Sequence, residues 1–329
     1  MVLTCPYSAL GEDIPKALAG GKPKHCGEVD FSVETLKKKY PEWYDLVEMA
    51  VKKADETNTE IDCWPLIKKL VPYFRINTKK SAVEIYDFIK SLECYETGVR
   101  FRNALEKESA NFNIPDKYAS YVGYFIKAIL RGETIFGTST IHEYQVDTDT
   151  PTIVFGPNIN SVLTGGGGFD FLIGGDGDDI LRGGREGLPD GDDNDVLIGG
   201  NGNDIYLFPS WGSTYVFEEN TPEAGANVVR IGGDIKPEDL DFSIVVRALR
   251  IVHGPVIRTV ESMKRSSIII SNWTPLYPEE VIDDPVSRRN WDLTKVADYP
   301  PIQRIEFSDG TVLGVQDILK IMESYKKVK

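Results

Sequence analysis

The 329-residue chain is poor in cysteine, in long apolar runs and in positive charge. Its four cysteines are too few for a disulfide scaffold at this length. No apolar run approaches the roughly 20 residues that span a bilayer. The most apolar stretch, residues 121–130, is interrupted by Lys127. With 37 basic against 51 acidic residues the net charge is −14, so neither nucleic acid nor an anionic membrane is expected as a partner, because both select basic surfaces. The first residues, MVLTCPYSALGEDIPK, contain no basic stretch followed by an apolar one, and no secretory signal peptide is expected there. Motifs of common hydrolases and nucleotide enzymes are missing too. There is no GxSxG and no P-loop, and His142-Glu143 is followed at position 146 by Val146 instead of a second His.

What the chain does have is a repeat. From Gly165 to Leu207 it runs in a nine-residue frame: GGGGFDFLI (165–173), GGDGDDILR (174–182), a third unit at 183–198, and GGNGNDIYL (199–207). The third unit fits the frame once seven residues, Arg185 to Gly191, are read as an insertion. Paired glycines permit a tight turn with positive φ. The Asp at the sixth position supplies a hard oxygen ligand, and turn carbonyls supply more, a donor set suited to Ca²⁺. The apolar eighth position (Leu172, Leu181, Leu197, Tyr206) sits on a short strand facing inward. One unit is too small to bury its own face, so units must stack. Residues 165–208 carry ten acidic and two basic residues. Stacking those carboxylates costs Coulomb energy unless cations bind, so the stack should be loose without calcium and ordered with it.

The segment resembles the RTX (repeats-in-toxin, haemolysin-type calcium-binding) family, whose repeat is GGxGxDxUx. The resemblance implies a parallel β-roll with calcium held between successive turns on each edge, alternate repeats sharing an edge. Asp179 would then pair with Asp204, and Asp170 with Asp195. The implied calcium-binding positions are Gly165, Gly167, Asp170, Gly174, Asp176, Asp179, Asp192, Asp195, Gly199, Asn201 and Asp204. The third repeat carries the insertion, and Asp193 stands where the fourth-position glycine belongs. One good site at Asp179/Asp204 and one weak or missing site at Asp170/Asp195 are therefore expected, with an affinity near ~10⁻⁴–10⁻³ M.

Downstream, VVRIGGDIKPEDLDFSIV (228–245), SIIISNW (267–273) and IQRIEFSDGTVLGVQDIL (302–319) resemble the tail module that follows the repeats in many RTX proteins. The residues themselves read the same way. Short β-branched runs at 228–231, 242–246, 249–253, 267–271 and 304–307 are bounded by turn signals such as Asp309-Gly310. Trp273 reads as a core or cap residue. Residues 315–328 read as an amphipathic helix with Val315, Ile318, Leu319 and Met322 on one face. The resemblance implies an uncleaved type I secretion signal near this end, whereas the pattern alone fits an ordinary packed helix equally well.

The N-terminal part is helical by its signals. Pro41 opens a helix over 42–53, and Ser81-x-x-Glu84 reads as a capping box. Further helices are expected at 62–73, 98–110 and 115–131. The expected fold is α+β and multidomain. An all-α domain (1–133) is followed by an extended linker (134–164), a short parallel β-roll (165–208) and a β-rich cap with a terminal helix (209–329). Cys5, Cys26, Cys63 and Cys94 all lie in the helical half. They leave open two disulfides, buried thiols, a metal site or a nucleophile. For the last, Cys26 with His142 as base are the candidates. The expected function is a secreted calcium-binding protein that folds on Ca²⁺ after export through type I secretion machinery. It would carry a helical effector or binding domain for an extracellular or target-cell partner. The alternative is a cysteine-dependent hydrolase delivered by the same tail.

Overall fold

The computed structural model describes residues 33–76, 78–109, 117–137, 143–146, 149–184, 194–209, 212–218, 221–245, 248–253, 266–271, 273 and 299–326. Two compact units divide between residues 138 and 139.

The first unit holds helices α1 (Val33–Lys39), α2 (Pro41–Thr57), α3 (Trp64–Ile76), α4 (Thr78–Ser91), α5 (Glu96–Ser109) and α6 (Lys117–Arg131), then strand β1 (Glu133–Phe136). Pro41 occupies the first turn of α2, where its missing N–H costs nothing, and Asn58 ends that helix in the left-handed region at φ 51°. One face of each long helix turns inward, so Val47, Ile67, Leu70, Phe88, Phe101 and Phe125 are fully buried. The expected capping box is not one. Helix α4 begins at Thr78, which puts Ser81 inside it. The Ser81 hydroxyl instead donates to the Tyr73 carbonyl at 2.7 Å, and Glu84 reaches across to Lys39 and Tyr73.

In the second unit, two sheets face each other in a coil of parallel strands. One sheet contains β2 (Glu143–Gln145), β4 (Val162–Thr164), β6 (Ile180–Arg182), β8 (Ile205–Leu207) and β10 (Val228–Ile231). The other contains β3 (Thr152–Phe155), β5 (Phe171–Ile173), β7 (Asn194–Ile198) and β9 (Gly212–Val216). Successive strands alternate between the sheets, so two nonapeptides make one turn. The register shows it: Ile153 pairs with Phe171, and Val162 with Ile180, each 18 residues on. Across the third repeat, Phe171 pairs with Val196 and Ile180 with Ile205, each 25 residues on. The seven extra residues match the expected insertion, which leaves both ladders in phase.

Leu163, Leu172, Leu181, Leu197 and Tyr206 fill the interior and are fully buried, as the eighth-position rule requires. The strands β2, β4, β6 and β8 are buried only at their central residue, whereas β3 and β5 are buried throughout. One sheet is thus apolar on both faces and the other on one.

The coil extends past both expected limits. Residues 143–164, expected as linker, form β2, β3 and β4, and the tail continues both ladders in parallel. Strand β13 (Ser266–Ile270) pairs with β9, and β14 (Arg304–Phe307) with β10. Antiparallel neighbours then end each sheet: β12 (Ala248–His253) and β11 (Leu240–Val245) on one, β15 (Val312–Gly314) on the other. The chain reverses between β14 and β15 through Gly310 at φ 89°. Trp273 is fully buried. The terminal helix α7 (Val315–Lys326) buries Ile318 and Leu319, and the Tyr325 hydroxyl donates to the Leu240 carbonyl at 3.4 Å.

Candidate calcium-binding edges

The sixth-position aspartates line up along two edges of the coil. Asp170, Asp179 and Asp204 are fully buried, and Asp195 nearly so. On one edge Asp179 Oδ1 accepts the N–H and the hydroxyl of Ser161 (2.8 and 2.7 Å), one coil earlier. Asp204 Oδ1 accepts the Asp179 N–H at 2.8 Å, and Asn227 Oδ1 accepts the Asp204 N–H at 2.8 Å. On the other edge Asp170 Oδ1 accepts the Thr152 N–H at 2.8 Å, and Asp195 Oδ1 accepts the Asp170 N–H at 3.0 Å. Asp195 in turn lies in register with Thr214. Each column therefore reads neutral, Asp, Asp, neutral: Ser161–Asp179–Asp204–Asn227 and Thr152–Asp170–Asp195–Thr214.

The second carboxylate oxygen binds the turn of its own repeat. Asp170 Oδ2 accepts the Gly166 N–H at 2.8 Å, and Asp179 Oδ2 accepts the Gly175 N–H at 2.9 Å. Glycine is required beside each aspartate. A Cβ on Gly174 would collide with both the Gly199 carbonyl oxygen and Asp179 Oδ2, and one on Gly165 with the Gly183 carbonyl oxygen and Asp170 Oδ2. The fourth-position glycines Gly177 and Gly202 hold φ of 135° and 132°, which L side chains rarely adopt. At each turn a carboxylate oxygen from one coil and a carbonyl oxygen from the next thus meet in a cradle that only glycine leaves open. That donor set fits calcium. Adjacent coils lie about 4.8 Å apart, so two ionised aspartates in one column repel by about 3 kcal/mol at an effective dielectric near 20. A bound divalent cation supplies the opposite charge.

The other expected positions fall around these columns. Asp176 is exposed and pairs with Asn201, whose side-chain amide donates to Asp176 Oδ1 at 2.9 Å. Asp178 and Asn203 repeat that contact two residues on, with the Asn203 N–H donating at 2.8 Å. Asn158 and Asn160 extend both outer columns by one coil. Gly167 lies against Asp149 of the preceding coil. Asp192, with Cys26 and His142, lies outside the described residues. Among the described residues no group of three or more His, Cys, Asp and Glu side chains could hold a metal. Backbone carbonyls are therefore an essential part of any calcium site here.

Sequence reasoning missed the neutral ends of the columns, although the frame reaches them. GPNINSVLT (156–164) is a degenerate nonapeptide with Ser161 in the aspartate position. It also missed Glu218. This residue follows β9 at the register of the repeat's first glycine, where Gly174 and Gly199 stand on the preceding coils. Its buried carboxylate accepts the Gly199 N–H at 2.7 Å, the Gly200 N–H at 3.4 Å and the Tyr206 hydroxyl. Burial, then the nearby Asp204, push its pKa up to about 8, and burial with the Glu218 charge raises Tyr206 well above the usual phenol value. Nothing in the repeat pattern announces a carboxylate there.

Among the described residues, the helical unit has one buried carboxylate of its own. Glu84 takes an ion pair from Lys39 at 2.6 Å and a hydrogen bond from the Tyr73 hydroxyl. Cys63 is a free, fully buried thiol whose pKa burial and the neighbouring Glu108 charge raise far above the ordinary range. Cys94 is disulfide-bonded. Of the four readings the sequence left open, Cys63 thus takes the buried thiol and Cys94 the disulfide.

A stack of nine-residue half-turns with buried aspartates in columns is a parallel β-roll whose edges offer a calcium donor set. The matching family is the RTX calcium-binding nonapeptide repeat, present in four copies over residues 159–186 and 190–207. Over these residues the chain carries calcium-binding repeats of the RTX type. No curated protein matches the chain.

Proposed function

We propose that this is a secreted RTX-type protein whose roll folds on calcium outside the cell and carries the helical domain of residues 1–133 as an effector or binding module. One observation carries the calcium part. Asp179 and Asp204, like Asp170 and Asp195, are buried one coil apart in the same column, beside carbonyl oxygens that only glycine exposes. Calcium would be held at the cradle of Gly174, Asp179, Gly199 and Asp204 on one edge and of Gly165, Asp170 and Asp195 on the other. Asp176 and Asn201 flank the first edge and Gly167 the second; Asp192 remains a candidate from the sequence. Binding to the folded roll alone pulls folding forward, so a low-calcium cytoplasm keeps the tail open for export and a calcium-rich exterior closes it. In this reading α7 and the residues after it act as the type I secretion signal.

Far-UV circular dichroism of the full chain during a calcium titration tests the first step. Strand signal should grow with a midpoint near ~10⁻⁴–10⁻³ M. A spectrum unchanged by millimolar calcium refutes it. Co-expression with a type I apparatus tests the second: the chain should reach the medium, and truncation before Val315 should stop it. The hydrolase alternative rests on Cys26 and His142; the buried Cys63 thiol, its pKa strongly raised, offers no second nucleophile.

A further inference from the structure

On the Asp179–Asp204 edge, each glycine after the first in a turn donates its N–H to the aspartate of its own repeat: Gly175 to Asp179, as Gly166 does to Asp170 on the opposite edge. The next loop breaks the pattern. The Gly200 N–H, which has the same place relative to Asp204, donates to Glu218 instead, together with the Gly199 N–H. Glu218 comes from the following coil, at the register where a further repeat would begin with glycine. Its side chain folds back over the loop, and Tyr206, itself filling the interior of the coil, donates its hydroxyl to the same carboxylate.

We infer that Glu218, outside the nonapeptide repeats, is a positioning residue of this calcium edge: it closes the C-terminal end of the Asp179–Asp204 column and adds a third buried carboxylate to the charge that bound calcium neutralises. The inference rests on the calcium reading of the edges. On the opposite edge the matching register, that of Gly183, holds Phe208, so no carboxylate stands there. Three donors converge on one Glu218 oxygen, Oε1, and keep the carboxylate facing loop 199–204. An ionised carboxylate this deeply buried is tolerated only near compensating charge. Gln in its place keeps an acceptor for the same N–H groups and removes only the charge.

The test compares thermal unfolding of the full wild-type chain and of Glu218→Gln, each with EDTA and with millimolar calcium. In Glu218→Gln the calcium-induced rise in Tm should fall by roughly a third, with no loss of Tm in EDTA, because one of three charges on that edge is gone. Tyr206→Phe, which removes a hydrogen bond and no charge, should lower Tm by the same amount in both conditions and keep the rise. A full calcium-induced rise in Glu218→Gln overturns the inference. No rise in the wild-type chain overturns the calcium reading itself. Should Glu218→Gln fail to fold, amide exchange in the wild-type chain decides: calcium should slow exchange at Gly199 and Gly200, and unchanged exchange there, with slowing at Gly175, overturns the role of Glu218.

Discussion

The Asp179 N–H donates to Oδ1 of Asp204, 25 residues downstream and one coil away, at 2.8 Å. The two aspartates are thus stacked by a bond that needs only an oxygen acceptor, while their charges oppose the stacking. Asparagine keeps the acceptor and removes the charge. Asp204→Asn should therefore fold more readily without calcium and bind calcium at least roughly tenfold more weakly on that edge, given the loss of a charged ligand. Calorimetry of Asp204→Asn beside Asp195→Asn measures each edge in turn. Equal losses in the two variants would show two equivalent sites and reject the expectation that the third repeat's edge is the weaker.

Gly174→Ala places a methyl group against the Gly199 carbonyl oxygen and Asp179 Oδ2. Backbone and a buried ligand would both have to move. The substitution should cost about 2 kcal/mol or more in calcium-loaded protein, read by urea unfolding. Gly232→Ala, with nothing within 4 Å of the added carbon, is the matched control and should cost under about 1 kcal/mol.

Removing residues 185–191 would restore the 18-residue step that the preceding coils have. Both ladders stay in phase across the longer step, so the interior column of Leu172, Leu181, Leu197 and Tyr206 is unaffected. The shortened chain should keep its calcium midpoint within roughly threefold and its Tm within a few degrees, since loop length changes closure entropy only slowly. Loss of the calcium transition would show that the insertion itself takes part in the third repeat's site.

Cys63 should resist alkylation in the native protein. Its burial and raised pKa leave almost no thiolate at neutral pH. Iodoacetamide followed by mass spectrometry should label it only after denaturant is added. Rapid native labelling would mean that the helical unit opens around α3.

Glu84→Ala removes the acceptor of the Tyr73 hydroxyl and the partner of Lys39. It should destabilise the helical unit by about 1–3 kcal/mol, because a half-buried hydroxyl loses its partner. Lys39→Ala, with that side chain half exposed, should cost less than about 1 kcal/mol. Denaturant curves of the two variants check the order.

The nine-residue phase made the roll legible because glycine, aspartate and an inward apolar residue each have one place in the turn. Even the seven-residue insertion could be located from phase alone, and the register agrees with it. The strands of 143–164 were not legible in that way. Ser161 and Thr152 do the aspartate's hydrogen bonding without its charge, so a search for acidic residues passes them by. Helix α2 was announced by Pro41, but Ser81 and Glu84 imitated a cap while serving contacts to Tyr73 and Lys39 that lie far apart in sequence. Glu218 belongs to the same class: its role comes from the coil below it, and no local pattern records that neighbour.

The columns Ser161–Asp179–Asp204–Asn227 and Thr152–Asp170–Asp195–Thr214 have a consequence for how such a fold can change in size. Mechanical length is set by the number of coils, whereas cation demand is set by how many of their sixth positions are acidic. A coil with serine, threonine or asparagine there lengthens the stack and asks for no metal. Two quantities that one repeat carries together are thus separately adjustable, one residue per half-turn, and a lineage could tune the calcium threshold for closure without rebuilding the scaffold.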